Sequence, residues 1–176
     1  MISNRPSLIS SGNLKFVVMD APSDENAATY ADNLERLGVA HLVRTCEGMY
    51  DDRIFESKGI KIHVSHRQEF KFTDGSSPPK AVVLRWLSLV KNTFFEKRKL
   101  KPLQEKPPCI AIHCLAGLGR APVLVAIALI EAGMNPNGAV GLIRKHRHGA
   151  LNYYQVKFLN SYKKVGAYQH SCCVLL

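Results

Sequence analysis

Residues 111–123 read AIHCLAGLGRAPV and place a histidine, a cysteine, two glycines and an arginine between two apolar stretches. The preceding run, CIAIHC at residues 109–114, is continuously apolar, as is typical of a central strand covered on both faces. The following run, APVLVAIALIEAG at residues 121–133, has a proline near its start and is apolar nearly all round, which predicts a buried helix. The sequence therefore predicts a strand, a glycine-containing loop and a helix, with Cys114 at the end of the strand.

Strands and helices alternate along most of the chain around this unit. Short apolar runs that end in turn-forming residues indicate strands, and apolar residues at helical spacing behind a capping residue indicate helices. This alternation predicts an α/β fold with a central, mostly parallel sheet flanked by helices. The predicted strands are LKFVVMDAP (residues 14–22), VAHLVRTC (39–46) and IKIHVSH (60–66), the predicted helices span residues 23–38 capped by Ser23, 81–98, 135–149 capped by Asn135 and 152–164 capped by Asn152, and residues 66–80 are predicted to be a mobile surface loop.

The bulk composition is that of one soluble globular domain. At 176 residues the chain is long enough for one core and too short to need two. It has no apolar run near the ~20 residues that cross a bilayer, and its N-terminus lacks the apolar centre of a secretory signal. We therefore expect a compartment that keeps the five cysteines reduced. We divide the chain into a flexible N-terminus (1–12), one domain (13–165) and a flexible C-terminal tail (166–176).

Positive charge is concentrated in the second half of the chain. Residues 1–80 carry 10 Lys and Arg against 11 Asp and Glu, whereas residues 81–176 carry 14 against 3. An anionic partner would therefore meet the C-terminal half, unless the excess is only a solvated basic face. Nucleic acid fits poorly, because no helix pair, zinc spacing or aromatic platform for bases is visible. Phosphorylated protein and an anionic membrane surface remain as the candidate anionic partners.

The loop after Cys114 has the composition of an anion-binding site. Backbone amides at the start of a helix lack partners and converge on one point if the loop curls, which Gly117 and Gly119 permit. Arg120 can close the ring with a planar guanidinium that matches phosphate oxygens. Such surroundings favour a thiolate, which predicts that Cys114 is a nucleophile. A cysteine in an apolar strand can also be a packed hydrophobe, as we expect for Cys109. The predicted phosphate-binding loop comprises Leu115, Ala116, Gly117, Leu118, Gly119 and Arg120.

The pattern HCxxGxxR, here HCLAGLGR at residues 113–120, is the signature of cysteine-dependent phosphatases. The longer stretch HCLAGLGRAPVLVAIALIEAGM closely resembles the phosphatase of regenerating liver family (protein tyrosine phosphatase type IVA), small prenylated members of the dual-specificity phosphatases. The segments LVRTCE, KGIKIHV, DGSSPP, WLSLVK, IRKHRHGALN and CCVLL resemble that family in the same order. The resemblance implies one compact α/β cysteine-phosphatase domain that hydrolyses phosphomonoesters through a phosphocysteine intermediate, without a metal ion or cofactor.

The resemblance assigns the general acid to Asp74. The leaving oxygen needs a proton from an acid on a loop that can close over the site. From the residues alone, an Asp before a Gly is equally a turn residue. The sequence also departs from the family, which usually has Trp-Pro and two consecutive acidic residues here, whereas this chain reads EFKFTDG after a short insertion. Thr73 replaces one carboxylate, so the position and closure of this loop are open.

Ala121 follows the arginine, where most cysteine phosphatases have Ser or Thr. A hydroxyl there stabilises the thiolate as it leaves phosphorus, and alanine has no such donor. Loss of one donor to a developing charge costs about 2–4 kcal/mol in other active sites, so we expect slow breakdown of the phosphocysteine. The family shares this alanine, and its slow turnover implies an alternative role as a phosphatase-like binding module for a CNNM-type magnesium transporter or a scaffold.

Other residues around the site suggest a substrate and a redox partner. The apolar side chains of Leu115, Ala116 and Leu118 favour phosphotyrosine on protein over a phosphoinositide, the lesser alternative. The resemblance assigns Cys46 as the cysteine that pairs with Cys114 under oxidation, although by composition it is equally a core thiol. We expect His113 to support the loop rather than act as a base, and we interpret residues 144–148, RKHRH, as a basic patch that is either solvated or attracts phosphate or lipid.

The last four residues, CVLL, form a prenylation box in which the terminal leucine favours geranylgeranylation of Cys173. One lipid gives marginal anchoring, so basic residues or acylation of Cys172 would have to contribute. The sequence thus predicts lipid anchoring at the cytoplasmic face of membranes, such as the plasma membrane and endosomes. It does not decide whether the chain forms a homo-oligomer.

Overall fold

The computed structural model describes residues 6–63, 70–96 and 107–168, which form a five-stranded sheet with helices on both faces. The strand order is β1-β2-β5-β3-β4, and only β1 runs antiparallel to its neighbour. The predicted α/β class with a mostly parallel sheet is confirmed. The strands are β1 (Ser7–Ser11), β2 (Leu14–Met19), β3 (Val39–Arg44), β4 (Lys61–His63) and β5 (Cys109–His113), and the helices are α1 (Ala27–Arg36), α2 (Arg53–Glu56), α3 (Lys80–Lys91), α4 (Arg120–Glu131), α5 (Pro136–His146) and α6 (Tyr153–Ser161).

The central strand β5 carries the site to one edge of the sheet. All five of its residues are buried, because Ile110 and Ile112 pack under α3 to α6 while Cys109 and Ala111 pack under α1 and α2. Its last residue, His113, lies level with the last residues of β2 and β3 in the parallel register. The loops that follow these three strands therefore meet at one edge, where open α/β sheets bind ligands.

Helix α4 fixes the loop that follows β5. All 12 of its residues are buried, as the nearly uninterrupted apolar sequence predicts. The indole Nε1 of Trp86 in α3 donates to the carbonyl of Leu124 at 2.6 Å and ties the two helices together. Burial of a leucine side chain such as Leu124 contributes about 1.5–3 kcal/mol. The N-terminus of α4 is therefore a fixed platform for the preceding loop.

Several helices differ from their predicted bounds. Helices α5 and α6 end at His146 and Ser161, three residues before their predicted ends. The prediction that Ser23 caps α1 is wrong, because Asn26 precedes the helix and its Oδ1 accepts from the backbone N–H of Ser23. Residues 23–26 thus close a separate turn, in which the carbonyl of Ser23 accepts from Asn26 and Ala27. Helix α3 ends at Lys91 and continues as a π-helical turn over Asn92–Glu96. Residues 97 and 98 of the predicted helix lie outside the described residues.

The ordered domain extends beyond both predicted boundaries. Strand β1 lies within residues 1–12, which the sequence predicts to be flexible, and it buries Ile9 completely at the sheet edge. Its sequence, SLISS, is too short and polar to stand out as a strand. At the other end, the ring of Tyr168 is buried and stacks on Phe95 with centroids 4.9 Å apart. The predicted lipidation sites, Cys172 and Cys173, lie outside the described residues.

Candidate active site

The loop between β5 and α4 requires glycine at one position. Gly117 has a φ of +66°, in the left-handed region that disfavours side chains. A Cβ at Gly117 would lie 2.4 Å from the carbonyl oxygen of Met19 and 2.4 Å from Nη2 of Arg147. Gly119 is less constrained, since a Cβ there would lie 3.3 Å from Nε2 of Gln155. The predicted curl of the loop therefore depends on Gly117 above all.

Arg147 braces this loop from behind. Its Nε donates to the carbonyl of Gly117 at 2.6 Å and its Nη2 to the carbonyl of Ala116 at 3.0 Å. Its side chain is only 4% exposed, and burial lowers the pKa of the guanidinium. Carbonyl groups held in this way cannot turn into the loop, where they would repel an anion. The buried cation also adds positive charge behind the site.

The predicted basic patch at residues 144–148 is therefore smaller than the sequence indicates. Arg147 is buried, and Arg144 donates to the carbonyls of Ala150 and Leu151 at 3.0 and 2.9 Å. Arg144 thus holds the chain between α5 and α6, whereas Arg147 holds the phosphate-binding loop. Four residues of the patch remain exposed, namely Arg144, Lys145, His146 and His148.

Cys114 and Arg120 lie at the two ends of the loop. Cys114 follows β5 and is 2% exposed, whereas Arg120 is the first residue of α4 and is 9% exposed. Nη1 of Arg120 donates to the carbonyl of Thr45 at 3.3 Å, which fixes the guanidinium against the loop after β3. Its Nε lies 3.2 Å from Oδ1 of Asp74, an ion-pair distance without a well-aligned hydrogen bond.

The structure places Asp74 next to Arg120, at the end of the phosphate-binding loop. Its side chain is 68% exposed, and its Oδ1 accepts from the backbone N–H of Gly75. The same oxygen would lie 3.6 Å from a Cβ built on Gly119, so the carboxylate stands over the end of the phosphate-binding loop. The segment that carries it is anchored by Phe70 and Phe72, which are buried. Residues 66–69 of the predicted mobile loop lie outside the described residues, and residues 70–79 pack against the domain at these two rings.

His113 supports Cys114 from inside the fold. Its Nε2 lies 2.7 Å from the hydroxyl of Tyr50 and its Nδ1 lies 3.4 Å from the carbonyl of Cys114. Burial lowers the pKa of His113 to about 3, so the ring is neutral near pH 7 and a poor proton acceptor. A neutral ring that donates from Nδ1 to Cys114 and accepts from Tyr50 satisfies both contacts. Tyr50 is in turn covered by Arg44, whose guanidinium carbon lies 5.0 Å from the ring centroid.

Cys46 lies next to this group. It is 7% exposed, and its Sγ lies 3.9 Å from Nδ1 of His113. Burial raises the pKa of the Cys46 thiol, the positive charge of Arg120 lowers it and the neighbouring Cys114 raises it. Both cysteines are free thiols at the ends of adjacent parallel strands. Cys109, in contrast, packs among the apolar residues under α1, where burial raises its pKa to about 12.

Three residues of the site were not identified as such in the sequence. Arg147 looks like part of a surface patch, although it directly follows α5 and its spacing from Val140 and Ile143 continues the buried side of that helix. Asn152 is identified only as a helix cap, and Gln155 completes an Asn-x-x-Gln capping box. Nothing in the sequence shows that these two side chains also reach the loop of Asp74. Together with that loop they line a cavity of about 390 Å³ bounded by Asp74, Gly75, Leu118, Gly119, Gly149, Asn152 and Gln155.

The rim of the site carries exposed apolar and aromatic side chains. Leu115 in the loop is 57% exposed, and Tyr153 and Tyr154, which follow the cavity-lining Asn152 at the start of α6, are 72% and 74% exposed. Among the described residues, no three His, Cys, Asp or Glu side chains lie close enough to hold a metal ion. In the same part of the chain, none of the helices has the length and apolar content needed to span a bilayer.

The sequence is similar over nearly its whole length to known phosphatases, although no protein-family model matches it. It is 42% identical over 162 residues to "Probable protein tyrosine phosphatase type IVA A" of Dictyostelium discoideum, covering 92% of this chain and 90% of that protein. It is 41% identical over 162 residues to protein tyrosine phosphatase type IVA 2 of Mus musculus, covering 91% and 89%. A solved protein tyrosine phosphatase from Leishmania major superposes with a TM-score of 0.79 at 38% identity, covering 91% of this chain and 99% of that one. The chain therefore belongs to the protein tyrosine phosphatase type IVA family of cysteine phosphatases.

Proposed function

We propose that this enzyme hydrolyses phosphotyrosine on protein substrates through a phosphocysteine intermediate. The observation that carries the proposal is the arrangement of three groups around one loop. Cys114 begins the loop, Arg120 ends it, and Asp74 stands over it with its Oδ1 3.2 Å from Nε of Arg120. Arg147 holds two carbonyls of the loop away from the space that an anion would occupy.

The chemistry takes place in two steps. In the first, the Cys114 thiolate attacks phosphorus, the bond to the leaving oxygen breaks, and Asp74 donates a proton to that oxygen. In the second, the ionised Asp74 takes a proton from water as the water oxygen attacks phosphorus, and the thiolate leaves as inorganic phosphate forms. The guanidinium of Arg120 and the loop amides stabilise the charge on the phosphoryl oxygens in both steps.

Slow turnover follows from the residue after the arginine. Ala121 is wholly buried in the first turn of α4, and its methyl group cannot donate a hydrogen bond to the departing thiolate. We therefore infer that the second step limits the rate. The long-lived phosphocysteine also supports the second candidate function, a phosphatase-like module that binds a CNNM-type magnesium transporter or a scaffold.

The rim of the site supports a protein substrate. Leu115 and the two tyrosines at the start of α6 are exposed, and they suit a peptide with an aromatic phosphoester better than a polyanionic inositol headgroup. The depth of the site favours phosphotyrosine over phosphoserine. Cys114 is almost fully buried, and a phosphotyrosine ring gives its phosphate a longer reach than a phosphoserine has.

Burst kinetics with a phosphotyrosine peptide test this function. Wild-type protein under reducing conditions should release dephosphorylated peptide equal to the enzyme concentration, followed by a slow steady phase. Cys114→Ser should abolish both phases, while Cys109→Ala, which removes a thiol on the other side of β5, should keep them. Absence of a burst from folded, reduced wild-type protein would reject the two-step mechanism and favour the binding module.

Two further properties are proposed from the sequence. A geranylgeranyl group on Cys173 would anchor the chain to the cytoplasmic face of membranes, supported by exposed Lys157, Lys163 and Lys164 and by acylation of Cys172. Mass spectrometry of protein from eukaryotic cells should then show loss of the last three residues and a lipid on Cys173. An intact C-terminus would exclude prenylation.

We also propose that Cys46 protects the nucleophile. Hydrogen peroxide would oxidise the Cys114 thiolate to a sulfenic acid, and the Cys46 thiol would displace water from it to form a disulfide. The 3.9 Å contact of Cys46 with His113, the residue before the nucleophile, supports this pairing. Peptide mapping after peroxide treatment should show the Cys46–Cys114 disulfide, and Cys46→Ser should lose activity irreversibly. Recovery of that variant by thiols would contradict the role.

A further inference from the structure

The N-terminus of α6 is capped by two amide side chains that use only half of their polar atoms for the cap. Oδ1 of Asn152 accepts from the backbone N–H of Gln155 at 2.9 Å, and Oε1 of Gln155 accepts from the backbone N–H of Asn152 at 3.1 Å. This reciprocal pair is a complete capping box. Both oxygens are used for the helix, and both amide nitrogens are left for other partners.

Those two nitrogens bind the loop that carries Asp74. Nδ2 of Asn152 donates to the carbonyl of Gly75 at 2.9 Å, and Nε2 of Gln155 donates to the carbonyl of Ser76 at 3.3 Å. The two acceptors directly follow Asp74 in the chain. Nε2 of Gln155 also lies 3.3 Å from the position that a Cβ on Gly119 would occupy. This amide therefore contacts both the phosphate-binding loop and the loop of residues 73–77 that carries Asp74, here called the acid loop.

Helix α5 shows that a cap alone does not need this arrangement. Asn135 caps α5 through Oδ1, which accepts from the backbone N–H of Gly138 at 2.7 Å. The residue at the third position of α5 is that glycine, which has no side chain to form a box or to hold a loop. Asp or Ser serves as well as Asn at a cap, and Glu serves as well as Gln at the third position. The amide groups of Asn152 and Gln155 therefore do something that the cap does not require.

The acid loop has little other support near Asp74. Residues 73–77 are each exposed or half-buried, between the buried Phe72 and the buried Pro78. Within the loop, the N–H and hydroxyl of Ser76 reach the carbonyl of Thr73, which shapes the turn without tying it to the domain. The hydrogen bonds from the side-chain amides of Asn152 and Gln155, together with the contact between Asp74 and Arg120, link this part of the loop to the site.

We propose that Asn152 and Gln155 are positioning residues that hold the acid loop closed over the phosphate-binding loop, so that Asp74 is in place before substrate binds. The proposal rests on the proposed role of Asp74 as general acid. It also accounts for the altered sequence of this loop. With Thr73 in place of a second carboxylate, one acidic group serves the leaving oxygen, and two side chains of a rigid helix keep that group in position.

Variants of Asn152 separate the two functions of its side chain. Asn152→Ser and Asn152→Asp keep an oxygen that caps α6 but lose the donor to Gly75, and the serine variant adds no charge. Gln155→Glu likewise keeps the capping oxygen and loses the donor to Ser76. Asn135→Ser and Asn135→Asp are matched controls, because they make the same change at the cap of α5, where no described hydrogen bond from the side chain reaches the acid loop.

The readout is the burst rate constant for two aryl phosphates, one with a weakly basic and one with a strongly basic leaving group. Proton donation matters most for the strongly basic group. The ratio of the rate constants, basic over weakly basic, should fall about three- to tenfold in the Asn152 and Gln155 variants, as for loss of one hydrogen bond. The ratio should fall further in Asp74→Ala and stay at the wild-type value in the Asn135 controls.

Three results would overturn the proposal. If the ratio falls in Asp74→Ala but not in the Asn152 variants, Asp74 is the acid and α6 does not position it. If both substrates slow equally in the Asn152 variants, the side chain has only a structural role. If Asp74→Ala leaves the ratio unchanged, the acid lies elsewhere, and the assignment of Asp74 fails together with the proposed clamp.

Discussion

Removal of the Arg147 side chain tests whether the phosphate-binding loop is shaped from behind. Arg147→Met retains an unbranched aliphatic stem and removes the guanidinium that donates to the carbonyls of Gly117 and Ala116. Leaving a buried acceptor unpaired costs about 1–3 kcal/mol, so two of them predict a loss of about 2–6 kcal/mol. Part of this cost is relieved if the two carbonyls rotate, and rotation turns them toward the space where an anion binds.

Arg147→Met should therefore weaken anion binding as well as stability. We expect the unfolding midpoint to fall by about 4–24 °C, since about 2–4 °C correspond to 1 kcal/mol in a chain of this size. The affinity for inorganic phosphate, measured as competitive inhibition of the burst, should fall about tenfold or more, which corresponds to 1.4 kcal/mol. Lys145→Met is the matched control, because it removes one positive charge from an exposed position near the end of α5, two residues before Arg147. Equal phosphate affinity in the two variants would refute the bracing role of Arg147.

Three other predictions concern Ala121, Asp74 and His113, which lie around the nucleophile. Ala121→Ser should speed the slow phase of the burst experiment about tenfold or more by supplying a donor to the thiolate, and an unchanged slow phase would mean that thiolate departure is not limiting. Asp74→Ala should slow the burst more for a strongly basic than for a weakly basic leaving group, and equal slowing of both would mean that another group is the general acid. Burial lowers the pKa of His113 from 6.5 to about 3, so its contribution to stability is complete above pH 6.5 and is lost as the pH falls from 6.5 to about 3. Across that range the wild-type free energy of unfolding should fall relative to that of His113→Gln by up to about 1.4 kcal/mol per pH unit, and parallel curves would contradict the buried neutral ring.

The sequence predicts the nucleophile and the phosphate-binding loop because both depend on local spacing. The loop from Cys114 to Arg120 joins a strand and a helix that are recognisable from apolar runs, and Gly117 marks the left-handed turn. Asp74 is harder, because an Asp before a Gly has the same appearance in any turn. Only its distance to Arg120 in the folded chain distinguishes an acid in the site from a turn residue.

The residues that support the site could not be found in the same way. Arg147, Asn152 and Gln155 act through partners about 30 to 80 positions away, as in the hydrogen bonds from Arg147 to Gly117 and from Gln155 to Ser76. A single sequence carries no information about such pairs. The sequence does not indicate strand β1 for a related reason. Its one wholly buried residue gives no periodicity, and its pairing with β2 decides its structure.

The most direct test of the central claim is intact-mass spectrometry of the protein after its reaction with a phosphotyrosine peptide is quenched rapidly in denaturant at mildly alkaline pH. The mechanism predicts that wild-type protein gains the mass of one phosphoryl group, which peptide mapping locates on Cys114. It also predicts that the adduct persists longer in wild-type protein than in Ala121→Ser. A reaction that releases phosphate at the burst rate without any phosphoryl adduct on Cys114 would contradict the account.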